Sequence, residues 1–404
     1  MSRRIRILEI VYCLSVEGPG GGRERFGIEL SRALDPDRFD VTVCGLWNLG
    51  TPFEETRINQ LKAEGMDVFT AAVRDKTKLV RSFWKAFGAI QLALSQRPAD
   101  ILHSHAESAN VMAMMLKAGF KPPIIIRTVH SEDKHMGSMK PLHRLMLTDS
   151  LYPLLFDVEI GVSRSIVHGL NRRWMSRLLG RQAQYISNAI DLEKFGNIQV
   201  DAQAKRRSLN VPADAMVIGT LGRLSQEKGY SFLIEAAAVV LEHLPQAFFL
   251  IVGDGQLRNS LVEQARRMAI DSRVVFTGPR SDIEELLACM DLLVSPSLTE
   301  GLPTTIIESM ACGVPVVATD IPGTRELIQD GVTGCLVPPA NSHALAEAIL
   351  TMLASASLRE ETAHRAGAAV KDFSIKAVAR RYEALFQALL DSRAALKPPI
   401  STHA

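Results

Sequence analysis

The sequence predicts an α/β protein of two doubly wound, Rossmann-like domains that face a central cleft. Three observations carry this reading. Short apolar runs alternate with longer helical patterns, the rhythm of βαβ units that build a parallel sheet. The rhythm breaks once, between about residues 190 and 212, and then restarts. In both halves glycines and charged residues gather just after apolar runs, where open α/β sheets bind their ligands.

In the first half the strands are Ile5–Val11, Phe39–Gly45, Met66–Phe69, Ile101–His105, Ile124–His130 and Val158–Ser163, with an amphipathic helix over Arg23–Leu34. The pattern fails near Tyr185–Phe195, and a polar, basic stretch runs from Asn197 to Asn210. The second series reads Val217–Leu221, Ala247–Val252, Arg273–Phe276, Leu292–Ser295, Pro315–Ala318 and Gly334–Val337, with helices at Tyr230–His243 and Ser281–Met290. A long helix over Ala377–Leu396 ends the chain, and Pro398 and Pro399 stop it. The expected division is 1–195, 212–375 and a terminal segment 376–404.

Composition narrows the class. A chain of 404 residues, 47% hydrophobic and 22% charged, can bury ordinary soluble cores. Cys13, Cys44, Cys289, Cys312 and Cys335 are scattered, with no CxxC and no Cys/His cluster. That disfavours zinc and a disulfide framework, and it fits reduced thiols in a cytosolic protein. No run of 18 apolar residues occurs, so no membrane-spanning helix is expected. Met1–Ile10 passes straight into a strand pattern instead of a secretory leader. Net charge is +2, but residues 1–190 hold 26 Lys and Arg against 19 Asp and Glu, which leaves the rest acidic. A basic first half suits an anionic partner; an unremarkable surface charge is the alternative.

The most telling motif is Glu300-Gly-Leu-Pro-Thr-Thr-Ile-Ile-Glu308, set between a strand ending in Ser295 and a helix stopped by Gly313. Glu300 then lies on the strand-end loop and Glu308 about a turn into the helix. Two carboxylates there can grip hydroxyls, and the helix N-terminus between them offers bare N–H groups to an anion. Leu221-Gly-Arg-Leu-Ser-Gln-Glu-Lys-Gly229 places Arg223 and Lys228 on one strand-to-helix loop. Two cations on a glycine-flanked loop suit a diphosphate; a plain surface loop is the alternative. Gly18, Gly20, Gly21 and Gly22 open the first helix but lack G-x-G-x-x-G spacing, as does Val252-Gly-Asp-Gly, which disfavours a nicotinamide enzyme. Thr277-Gly-Pro-Arg280 is either a simple turn or a loop that meets a base edge. His103, His105 and His130 stand at strand ends. The first two read as structural, and His130, before Ser131-Glu-Asp133, as pointing into the cleft.

Together these pieces resemble the retaining family 4 glycosyltransferases of the GT-B fold, over nearly the whole chain. The second half carries the resemblance best: Gly222-Arg-Leu with Lys228-Gly, Val252-Gly-Asp-Gly, Phe276-Thr-Gly, Ser295-Pro-Ser, Glu300-Gly-Leu-Pro with Glu308, and Gly313-Val-Pro-Val-Val-Ala-Thr. The resemblance implies a metal-independent, retaining hexosyltransferase that uses a UDP- or GDP-sugar and no cofactor. Arg223 and Lys228 would hold the diphosphate and stabilise the leaving group. Glu308 would bind the ribose and Glu300 the donor sugar, helped by Gly301, Leu302, Thr304 and Thr305. Gly22 would touch the diphosphate from the first domain, and His130 would lie near the anomeric carbon. The terminal helix would cross back onto the first domain. Two departures are Ala189 in Asn188-Ala-Ile-Asp191, where the family commonly has glycine, and Ser15-Val-Glu-Gly-Pro before the glycines.

The implied acceptor is a glycan or lipid-linked hydroxyl in cell-envelope or exopolysaccharide assembly, with no nucleic-acid partner. Arg74, Lys76, Lys78, Arg81 and Lys85 interleave with Phe83, Trp84 and Phe87, and Asn171–Arg177 repeats the mixture. This suggests a cytoplasmic protein docking peripherally on the anionic inner membrane face; an ordinary helix with a solvated basic face is the alternative. Two further readings stay open: a nucleotide-sugar 2-epimerase, and a catalytically silent sugar-nucleotide binder.

Overall fold

The computed structural model describes residues 3–15, 21–75, 77–119, 124–131 and 145–395. Two parallel sheets organise it. The first comprises β1 (Ile5–Val11), β2 (Phe39–Asn48), β3 (Asp67–Val73), β4 (Ile101–Ser104), β5 (Ile124–Val129), β6 (Val158–Gly161) and β7 (Gln184–Tyr185). Their order is β3-β2-β1-β4-β5-β6-β7, parallel throughout. The second comprises β8 (Met216–Leu221), β9 (Ala247–Val252), β10 (Val274–Gly278), β11 (Leu292–Ser295), β12 (Val316–Thr319) and β13 (Cys335–Val337). Its order is β10-β9-β8-β11-β12-β13, again parallel. Strand order reverses between β1 and β4 and between β8 and β11, which makes those gaps the expected ligand crevices.

The local reasons are plain. β9, β11 and β12 are buried at every residue, as strands covered on both faces must be. β3 runs on through Val73, beyond the apolar run read at Met66–Phe69, and two-residue β7 is too short to show a pattern. The first helix, Gly22–Ala33, starts where Glu24 Oε2 accepts the Gly21 N–H at 2.8 Å, which satisfies a donor the helix leaves bare.

The terminal helix, Ile375–Ala395, does cross back. Ile190 N–H donates to Phe373 and Ile375 N–H to Ile190, at 3.0 and 2.8 Å, which stitches its start to the first domain. Tyr382 and Phe386, both fully buried, then pack with Ile7, Phe26 and Phe39. Side chains of this size contribute about 1.5–3 kcal/mol each on burial. A second tie comes from the helix Arg164–Arg172, whose Ile166 and Leu170 share a core with Leu302, Ile306 and Ile307 of the second domain.

The basic-aromatic stretches split in the fold. Over Leu79–Gln96, Phe83 packs inward with Trp47 while Val80 and Trp84 are exposed. Lys76 lies outside the described residues. In the second stretch Trp174, Arg172 and Arg177 are exposed, but Arg173 is buried and belongs to neither a docking face nor a solvated one. Glu159 takes both Arg127 (2.6 Å) and Arg173, and the Arg127 guanidinium lies 4.2 Å over the Tyr152 ring. No described helix is long and apolar enough to cross a membrane.

Candidate functional site

A cleft of about 650 Å³ lies between the strand ends of the two sheets. All ten residues singled out from sequence line it: Gly22, His130, Arg223, Lys228, Glu300, Gly301, Leu302, Thr304, Thr305 and Glu308. The Thr277–Arg280 loop also reaches it through Pro279 and Arg280, and Arg280 is tied to Asp282 at 2.8 Å. Gly18, Gly20, Val16, Glu17, Glu132 and Asp133 lie outside the described residues.

The β8 loop sets the cations. A short turn, Gln226–Lys228, ends at Gly229 with φ 65°. A Cβ there would meet the Pro296 carbonyl oxygen at 2.0 Å, so this position needs glycine for both conformation and space. Lys228 Nζ donates to Glu300 Oε1 at 2.5 Å, and Ser297 Oγ donates to the same oxygen at 2.8 Å. Arg223 is half exposed and pairs with Glu227 at 3.0 Å.

Two helices aim their N-termini at one place. Thr304–Ala311 follows Pro303, with no side chain capping its start. Gly22 opens the first helix opposite, so close that a Cβ on it would lie 3.3 Å from Thr304 Oγ1. Bare N–H groups and partial positive charge from both domains thus converge. Glu308 sits in the same helix, 1% exposed, and forms an ion pair with Arg25 of the first helix. Sequence reading assigned Glu308 to hydroxyls and passed over Arg25. The available signal was a cation three positions after the glycine that opens the helix.

His130 enters the cleft from the end of β5. Its backbone carbonyl faces Gly301, where a Cβ would lie 2.0 Å from that oxygen. Both ring nitrogens are engaged: Nδ1 meets Asn188 Oδ1 and Nε2 meets His105 Nδ1, each at 3.0 Å. Burial, reinforced by His105 and Arg23, pulls its pKa well below the usual imidazole value. His103 and His105 are buried, in line with the structural reading. Behind them lies Glu9, which sequence reading did not single out. Burial would raise its pKa, but His103 and His105 outweigh that and hold it at about 2.

Sequence reading found no metal-ligating cluster, yet Glu9, His103 and His105 converge in the fold. His105 Nε2 is in direct hydrogen-bond contact with Glu9 Oε1. His103 Nε2 meets Thr128 Oγ1 at 2.8 Å, and its Nδ1 lies 3.1 Å from the same Glu9 oxygen. The five cysteines are free: three are buried and two half-buried.

The site can bind an anion at the paired helix starts, with cations on one side and carboxylates for hydroxyls on the other. Comparison with known proteins agrees with that chemistry. The family described as glycosyl transferases group 1 matches residues 215–355, and glycosyltransferase family 4 matches residues 20–194. The chain is 25% identical over 326 residues to the UDP-Gal:alpha-D-GlcNAc-diphosphoundecaprenol alpha-1,3-galactosyltransferase of Escherichia coli, covering 78% of this chain and 80% of that one. It is 29% identical over 303 residues to the phosphatidyl-myo-inositol mannosyltransferase of Mycobacterium tuberculosis, covering 73% and 75%. Among solved structures, Anabaena HepE in complex with UDP and glucose superposes with a TM-score of 0.79 at 22% identity, over 95% of this chain and all of that one. Sucrose-phosphate synthase from Thermosynechococcus elongatus gives 0.80 at 22% identity, over 96% of this chain and all of that one. The chain belongs to the family 4 glycosyltransferases of the GT-B fold.

Proposed function

We propose that this family 4 glycosyltransferase moves a hexosyl group from a UDP- or GDP-sugar to an acceptor hydroxyl of a cell-envelope glycan or its lipid-linked precursor, with retention and without a metal. The observation that carries the reading is the convergence of two helix N-termini, from Gly22 and Thr304, beside Arg223 and Lys228. That arrangement suits a diphosphate. The relatives' names support the acceptor class: one acts on a diphosphoundecaprenol-linked sugar and another on phosphatidyl-myo-inositol. Both are named as transferases, which disfavours the 2-epimerase and the silent binder.

In this reading the donor trades places with internal ion pairs. Its diphosphate takes Lys228 from Glu300 and Arg223 from Glu227. Its ribose and sugar hydroxyls take up Glu308 and Glu300. Negative charge grows on the departing phosphate as the glycosidic bond lengthens, so fixed cations there favour the transition state over the bound donor. Retention follows from attack on the face the leaving group departs from, where that phosphate also accepts the acceptor's proton. His130 shapes the sugar side through its carbonyl and ring edge, because both its nitrogens are committed elsewhere. The exposed Val80 and Trp84, next to Arg81 and Lys85, support peripheral docking of the first domain on an anionic bilayer.

The test is a panel of UDP- and GDP-sugars with nucleoside diphosphate release as the readout, before and after EDTA. Arg223→Ala and Lys228→Ala are each expected to lower turnover by about 10²-fold or more. Near-normal rates in both would refute the leaving-group assignment. Activity lost to EDTA and restored by Mg²⁺ would refute metal independence.

A further inference from the structure

A line of polar side chains runs from the floor of the first sheet to the backbone of the second domain. Glu9 Oε1 on β1 contacts His105 Nε2, just past β4. His105 Nδ1 meets His130 Nε2 at 3.0 Å, and His130 Nδ1 meets Asn188 Oδ1 at 3.0 Å. Asn188 Nδ2 then donates to the Leu302 carbonyl at 2.8 Å. That last bond fixes the amide: the nitrogen points to Leu302, so the oxygen must face His130.

The protons can be counted. Both ends of the line, the Glu9 carboxylate and Asn188 Oδ1, are acceptors. Three junctions between them each need one hydrogen. Those three must sit on the four nitrogens of two imidazoles, and two neutral imidazoles carry only two. A buried carboxylate gives the same count. Glu9 is fully buried, and its only ionic neighbours among the described residues are His103, at 3.1 Å, and His105. An unpaired anion there would be costly, and one added proton makes the line neutral.

We propose that Glu9 and His105 are positioning residues for His130, acting through a single shared extra proton that locks His130 as its Nδ1–H tautomer and holds Asn188 against Leu302 across the cleft. With the proton present, His105 donates at both nitrogens, to Glu9 and to His130, and His130 donates to Asn188. Without it one junction opposes two lone pairs, and the clasp to the second domain loosens. Other groups facing the line are His103, bonded through Thr128 Oγ1 to the Tyr382 hydroxyl of the terminal helix, and Arg23 and Glu24 on the first helix. Burial lowers the pKa of both rings, but Glu9 opposes the shift at His105 while His105 and Arg23 deepen it at His130, so the proton is drawn to the Glu9–His105 end.

The experiment is long-range ¹H–¹⁵N spectroscopy of the full chain with ¹⁵N-labelled histidine, as a function of pH. It needs no substrate, so it stands apart from the donor assignment. The expected result is one proton step shared by His105 and His130, with His130 as the Nδ1–H tautomer below it. Glu9→Gln should abolish the step, because the glutamine N–H donates to His105 at every pH and keeps the line complete with neutral rings. Glu9→Leu should leave His130 in mixed tautomers. In donor turnover, the wild-type rate should fall about tenfold as pH rises through the same step, the scale of one lost hydrogen bond, while Glu9→Gln stays flat across it. Independent titration of the two rings, an Nε2–H tautomer at His130, or an unchanged step in Glu9→Gln would each overturn the proposal.

Discussion

Gly301→Ala is the sharpest test of how the two domains meet. Gly301 lies on the β11 loop of the second domain, and a Cβ there would stand 2.0 Å from the His130 carbonyl oxygen, 2.7 Å from its carbon and 3.1 Å from Ile166 Cδ1. Carbon and carbonyl oxygen approach comfortably at about 3.3–3.6 Å, so the shortfall exceeds about 1 Å. The obstacle is backbone from the opposite domain, not the free end of a side chain. Relief therefore requires the two strand-end loops to part by roughly that distance. Overpacking of this kind costs about 1–3 kcal/mol, and a 1 Å misplacement at a reacting centre costs about 10²-fold in rate. The assay is kcat and KM for nucleoside diphosphate release alongside the melting temperature. Gly88→Ala is the control: Gly88 is exposed in the helix Leu79–Gln96, and its Cβ would meet nothing within 4 Å. That change should stabilise slightly, by up to about 1 kcal/mol, and leave kcat alone. A Gly301→Ala protein with kcat within threefold of wild type and an unchanged melting temperature would refute the reasoning.

Three further outcomes follow from the same geometry. Arg25→Ala strips Glu308, 1% exposed in the intact chain, of its cation, so melting should drop, on the scale of a few kcal/mol for breaking a largely buried pair; an unshifted melting curve would show that pair to be dispensable. Glu159→Gln should destabilise more, about 3–5 kcal/mol, because it removes the carboxylate that Arg127 and Arg173 share in the core. Burial opposes ionisation of Glu159 but the two guanidinium groups prevail and lower its pKa below the ordinary 4.5. Its stabilisation is thus present above that value and lost as pH falls through the folded pKa, and acid melts should show a smaller loss in Glu159→Gln than in wild type. Full-length protein should float with vesicles rich in anionic lipid, and Trp84→Ala with Val80→Ala should weaken that binding; equal flotation with neutral vesicles would count against docking through this face.

Much of the fold was legible because parallel sheets write themselves plainly. Strands covered on both faces are continuous apolar runs, as in Ala247–Val252, and the loops at their C-terminal ends collect the ligand groups. The places of Arg223, Lys228, Glu300 and Glu308 along the cleft could all be read from that rule. Their partners could not. Arg25 meets Glu308, His130 meets Gly301 and Glu9 meets His105 only after two sheets are stacked and faced, and no local period encodes such distant pairs. The buried ion pairs hid for the same reason: Arg173 looked like part of a basic surface face, yet it serves Glu159 in the core. The sequence did hold one hint. Glu9 interrupts Ile7-Leu8 and Ile10-Val11 in a strand that is otherwise apolar from Ile7 to Val11, and a carboxylate in such a run must find a partner or stay neutral.

The pairing inside the cleft bears on how the enzyme waits for its donor. Lys228 with Glu300, Arg25 with Glu308 and Arg223 with Glu227 are each a cation and a carboxylate, and the proposed reaction draws at least one member from every pair. Held together, they offset one another's burial. A nucleotide sugar offers both halves at once, phosphate for the cations and hydroxyls for the carboxylates. A free nucleoside diphosphate supplies the ribose but no sugar, and leaves Glu300 without its new partner once Lys228 turns to phosphate. The site should therefore discriminate for the intact donor over its product by the interactions of Glu300. Glu300→Gln should narrow that preference, because the neutral amide no longer depends on Lys228. Competition binding of donor against nucleoside diphosphate reads the ratio directly, and an unchanged ratio in Glu300→Gln would show that the pairing plays no part in selection.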